Sequence, residues 1–144
     1  MSDTDPSDDL SLYPVSEKAP ERVRTPTGKP LSALTLEAVL SGEIGPEDVA
    51  ITPEALLLQA RIARAAGRAT LAENFERAAD LVRVPQELIL DTYELLRPGR
   101  ARDAQQLLDR AAQLRRDYGA ARVAALIEEA AAVYTRRGLF VKRY

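Results

Sequence analysis

The chain has 144 residues, of which 46% are hydrophobic and 29% are charged, a composition that fits one globular domain. Its 20 basic and 22 acidic residues give a formal net charge of -2, which provides no overall attraction to nucleic acid or to anionic lipid. Cysteine and histidine are both absent, which excludes a thiolate nucleophile, a disulfide, a zinc–cysteine cluster and any Ser-His or Cys-His pair. No apolar run approaches the ~20 residues that a membrane-spanning helix needs, so we expect no membrane partner.

The N-terminal residues are acidic and polar. The stretch "MSDTDPSDDL" carries four aspartates and no early basic residue, which argues against a secretory or mitochondrial signal and predicts a cytoplasmic protein. Five of the nine prolines fall within residues 1–33, a spacing that does not favour a helix. We therefore predict that residues 1–11 are a disordered acidic lead.

Residues 12–34 are predicted to form an extended, proline-rich arm. Leu12, Tyr13, Val15 and Val23 punctuate this arm at intervals. An extended segment with spaced apolar residues lies either against its own domain or against another chain. We favour packing on a partner subunit.

Residues 35–140 are predicted to form an all-α domain, compact and built from about five to seven helices, because start and stop signals follow one another closely. Thr35 and Thr52 are the predicted N-caps, and Gly67, Gly119 and Gly138 are predicted helix ends. The predicted helices are 35–41, a short one that starts at Pro46, 53–66, 69–83, 85–97, 101–118 and 120–137. Residues 141–144 are predicted to be a frayed tail.

Two predicted helices carry apolar residues outside their core stripes. In "LAENFERAADLVRVP" the stripe contains Leu71, Phe75 and Val82, and Leu81 lies off it at ~100° of rotation per residue. In the helix 53–66, Leu57 stands opposite the core stripe. Leu57 and Leu81 are therefore predicted to lie in an interface with a partner chain.

The charged residues do not indicate a catalytic or metal site. Glu73, Glu76 and Asp80 share one helix face and could form an acid/base set. A solvated polar face is the better interpretation, because nothing apolar there raises a carboxylate pKa. Between Arg100 and Arg122 the charges alternate in sign, which is typical of a salt-bridged helix and not of a nucleic-acid interface. We predict no catalytic, cofactor-binding or metal-binding residue on this chain.

Several motifs, in their order along the chain, are more specific than any single pattern. They are "KAPERVRTPTGK", "ITPE", "AGR", "NFERAA", "LRP" and "AALIEEAAAVYTRRGL". With these motifs the chain resembles the small subunit of adenosylcobalamin-dependent diol and glycerol dehydratases over about residues 12–140, nearly its whole length.

The resemblance implies a holoenzyme of large, medium and small subunits, arranged as a dimer of heterotrimers. Such an enzyme converts propane-1,2-diol or glycerol to the aldehyde and water by a radical mechanism. Adenosylcobalamin and a monovalent cation, potassium, are bound by the partner subunits, and the small subunit packs on the large subunit without a known catalytic side chain. The arm residues expected at that contact are Leu12, Tyr13 and Pro14.

Two further expectations concern localisation and the rival function. Some members of this family carry a long N-terminal extension linked to packaging in a bacterial microcompartment, whereas the lead here is about eleven polar residues without an amphipathic pattern. We therefore do not expect encapsulation through this chain. The rival function is a non-enzymatic helical interaction or adaptor domain, and an autonomous carboxylate-based lyase is the weakest alternative.

Overall fold

The computed structural model describes residues 6–140. This part of the chain contains eight α-helices, three short 3-10 helices and no β-strand, which confirms the predicted all-α class. The chain divides into two compact units, Met1–Val82 and Arg83–Tyr144. The residues 35–140 that the sequence predicts as one domain are therefore shared between both units.

The helices follow the predicted order closely. The first unit contains α1 (Pro6–Ser11), α2 (Val15–Lys18), α3 (Leu36–Leu40), α4 (Pro53–Ala65) and α5 (Ala69–Leu81), with 3-10 helices at Pro20–Arg22, Leu31–Ala33 and Pro46–Val49. The second unit contains α6 (Gln86–Leu96), α7 (Ala104–Tyr118) and α8 (Ala121–Arg137). Over residues 6–140, none of these helices combines the length and the apolar character that crossing a bilayer requires.

The helix ends are explained by local chemistry. The hydroxyl oxygens of Thr35 and Thr52 each accept a hydrogen bond at 3.2 Å from a backbone N–H three residues later, so both predicted N-caps are confirmed. Helix α7 begins three residues later than predicted, because the Asp103 carboxylate caps it by accepting from the Gln106 N–H at 2.9 Å. Gly119 ends α7 in the left-handed region, with φ at 65°.

The first unit is organised around α4, which packs on α5 and on α1. One buried cluster joins Ala60, Ala63 and Ala72, with Leu71 and Phe75 partly buried against it. The small alanines bring the two helices close together, and the larger side chains of α5 cover the contact. Leu71 and Phe75 thus belong to the core stripe of α5, as the sequence predicts.

Residues 6–11 are more structured than the sequence indicates, whereas residues 1–5 of the predicted lead and the predicted tail 141–144 lie outside the described residues. Helix α1 occupies part of the stretch predicted to be disordered, and Asp9 is buried and accepts from Arg61 Nε at 3.4 Å. The partner of Asp9 lies 52 residues away on α4, so neither the composition nor the local pattern of the segment could reveal it.

The segment predicted as an extended arm contains α2 and two 3-10 helices. Val15 and Ala19 form a buried cluster with Leu58 and Ile62 of α4, and Leu12 and Val23 pack against this cluster. The arm thus contacts α4 of its own unit through these four side chains, and its packing on a partner subunit stays a prediction.

The second unit has its core between α7 and α8. Leu107, Leu114 and Ile127 are its fully buried large side chains. Helix α6 is tied to α7 through buried Thr92, whose hydroxyl accepts from Arg110 Nη1 at 2.7 Å. The segments after α6 and α8 also meet, because the Gly99 N–H donates to the Leu139 carbonyl at 2.9 Å.

Candidate subunit interface

The most exposed apolar surface of the first unit lies on α3 and on the segment that precedes α4. We use the name apolar patch for five exposed side chains, those of Leu36, Val39, Leu40, Val49 and Ile51. Leu36, Val39 and Leu40 follow the i, i+3, i+4 spacing that places them on one side of α3. Leu36 is 68% exposed, Leu40 is 78% exposed and Val49 is 66% exposed, which is unusual for several large apolar side chains close together in one chain.

A groove of about 360 Å³ adjoins this patch. We call it the Arg24 groove, because Arg24 is its exposed charged residue. One wall is formed by residues of the arm, including Val23 and Leu31, and the other by residues that precede and begin α4, including Ile51. Val49 and Ile51 line the groove, so the groove adjoins that part of the patch.

The two walls of the groove are joined by a polar cluster around Asp48. Asp48 is 2% exposed, and its carboxylate accepts from Lys29 Nζ at 2.7 Å, from the Gly45 N–H at 3.1 Å and from the Thr27 hydroxyl. Lys29 Nζ also donates to the Glu43 carbonyl at 2.6 Å. Each buried polar atom of this cluster therefore has a partner, as a low-dielectric site requires.

The loop that presents Thr27 and Lys29 is shaped by its own sequence. The Gly28 N–H donates to the Thr25 carbonyl at 2.9 Å, and the Thr25 hydroxyl accepts from the Lys29 N–H at 3.0 Å. Pro26 at the second position and Gly28 at the fourth are typical of a tight turn, and Gly28 has φ at 88°. The motif "TPTGK" thus places a cation and a hydroxyl on the same carboxylate.

The charge of Asp48 is strongly favoured by its neighbours. Hydrogen bonds from the Lys29 ammonium first, and then from the Thr27 hydroxyl, hold the pKa of Asp48 far below its ordinary value of 3.8. Burial acts in the opposite direction, but it is outweighed. Asp48 and Lys29 therefore form an ion pair at neutral pH, and their charges offset each other.

A second apolar surface surrounds the predicted interface residue Tyr13. Tyr13 is 62% exposed, and Leu10, also exposed, lies one helical turn before it. Both line a groove of about 350 Å³ together with Phe75 and Arg68, which we call the Tyr13 groove. The peptide bond between Tyr13 and Pro14 is cis.

The five residues predicted for the partner interface are placed differently from one another. Tyr13 is exposed, whereas Pro14, Leu57 and Leu81 are half-buried. Leu12 is also half-buried and packs on the α4 cluster of its own unit. Among these five, Tyr13 therefore offers the most surface to a partner.

Exposed apolar side chains also occur on the second unit. Leu90 and Tyr93 of α6 are three positions apart and lie on one helix face. Leu108 of α7 and Leu126 of α8 are less exposed. None of these four side chains was predicted to lie at a partner interface.

Two of the three carboxylates considered as an acid/base set, Glu73 and Glu76, lie beside arginines. Glu76 accepts from Arg64 Nη2 at 2.7 Å, and Glu73 lies 3.9 Å from Arg77 Nη1. Among the side chains of residues 9–140, no three acidic groups come together in a way that could hold a metal ion. The predicted polar face of α5 is therefore observed as a set of ion pairs.

On α8, the Glu128 carboxylate accepts a bidentate pair of hydrogen bonds from the Arg115 guanidinium of α7. The hydrogen bond from Arg115 lowers the pKa of Glu128, and the same bond raises the pKa of Arg115. Arg115 and Glu128 thus join α7 to α8 within the second unit.

The sequence analysis missed the apolar patch, although a signal was present. Leu36 and Leu40 lie one turn apart on a helix of only five residues, and such a helix has little room for a separate polar face. Val49 and Ile51 alternate around Ala50 directly before the Thr52 cap, in a segment too short to cover them. The sequence signal for this surface was therefore the presence of large apolar residues in segments too short to bury them.

Over residues 6–140, the helical fold and its exposed apolar side chains are typical of a subunit that packs on other chains. The model of the family described as dehydratase small subunit matches residues 9–141. The propanediol dehydratase small subunit of Salmonella typhimurium strain LT2 is 48% identical over 128 residues, which cover 89% of this chain and 73% of that protein. The protein of the same name from Citrobacter freundii is 49% identical over 125 residues, covering 87% of this chain and 72% of that protein. This chain belongs to the dehydratase small subunit family, and as a small subunit it has other dehydratase subunits as partners.

Proposed function

We propose that this chain is the small subunit of an adenosylcobalamin-dependent dehydratase that converts propane-1,2-diol or glycerol to the corresponding aldehyde and water. The observation that carries the proposal is the 48% identity with a propanediol dehydratase small subunit over most of the chain. The partners are a large and a medium subunit in a dimer of heterotrimers. In this assembly the chain has a structural role on the large subunit, and the enzyme is a carbon–oxygen lyase.

The residues of this chain do not fit the groups that the reaction needs. The sequence has no histidine, so it lacks the commonest nitrogen ligand for a metal ion. Within residues 6–140, the acidic side chains do not converge on one point, which a site for a cation built of carboxylates would require. We assign adenosylcobalamin and the potassium ion to the partner subunits.

The exposed arm is part of the proposed contact with the large subunit. Tyr13 and Leu10 present apolar surface at the Tyr13 groove, which Arg68 also lines. Pro14, Leu57 and Leu81 remain proposed contacts through their exposed portions. Leu12 contributes by holding the arm on α4.

Reconstitution tests the proposal. The chain is co-expressed with its large and medium subunits, and aldehyde is measured from both substrates in the presence of adenosylcobalamin and potassium. We expect a stable complex that produces aldehyde, and a loss of assembly when the small chain is omitted. A chain that never copurifies with the large subunit, or that turns over substrate alone, would contradict the proposal, and the first result would favour an adaptor domain.

A further inference from the structure

We draw no further inference here: the strongest candidate, the exposed apolar side chains of α3 and of the segment before α4, is a surface for which nothing within residues 6–140 shows what covers it.

Discussion

Lys29 and Asp48 form an ion pair at 2.7 Å in which the carboxylate side chain is fully buried while a third of the lysine side chain stays exposed. The pair joins the arm to the segment before α4, across 19 residues of sequence. It also lies beside the Arg24 groove. The Lys29–Asp48 ion pair therefore holds together the two segments that line the Arg24 groove.

Replacing Asp48 by alanine should lower the melting temperature of the chain by more than about 5 °C, because Lys29, Thr27 and the Gly45 N–H lose their common acceptor. Thermal unfolding followed by circular dichroism measures this shift. Glu43→Gln is the matched control, since Lys29 contacts only the backbone carbonyl of Glu43. A shift of equal size in both variants would show that the buried Lys29–Asp48 pair adds no more stability than the Glu43 side chain does.

The same pair makes stability depend on acid pH. Because the folded state holds the pKa of Asp48 below 3.8, the pair contributes its full stability well above pH 4, and the contribution is lost as the pH falls through 3.8 and below. The difference in urea midpoint between the parent chain and Asp48→Asn should therefore be large at pH 6 and shrink toward pH 3. A difference that is constant over this range would contradict the assignment.

Leu107→Ala should destabilise the second unit by about 2–5 kcal/mol, because Leu107 is fully buried between α7 and α8 and the truncation leaves a cavity. Its neighbour Leu108 is 38% exposed, so Leu108→Ala should cost only about 0.5 kcal/mol. Urea titration of both variants gives the comparison. Equal losses would mean that the register of α7 differs from the one described.

Leu12 and Tyr13 are adjacent, and replacing each by alanine should affect a different property of the chain. Leu12→Ala should lower the melting temperature of the chain, since Leu12 packs on the α4 cluster. Tyr13→Ala should leave that temperature nearly unchanged and instead reduce the amount of large subunit that copurifies, since Tyr13 is exposed. If Tyr13→Ala affects only stability, the arm is an internal element and not part of the interface.

The sequence was sufficient for the helical class, the order of the helices and several of their ends. Thr35 and Thr52 cap their helices through contacts three residues along the chain, and Gly119 ends α7 through its own backbone angles. These interactions are local, so the residue type and its spacing specify them. The family resemblance was likewise contained in the order of the motifs, and the comparisons confirmed it.

The tertiary structure decided which apolar residues are covered and which charges meet. Leu12 and Leu40 are similar in sequence terms, yet α4 covers Leu12, whereas nothing within residues 6–140 buries Leu40. Asp9 finds Arg61 and Lys29 finds Asp48 only because the chain folds back on itself. Burial and long-range ion pairs depend on which distant segment packs beside a residue. The periodicity of a single helix does not specify that segment.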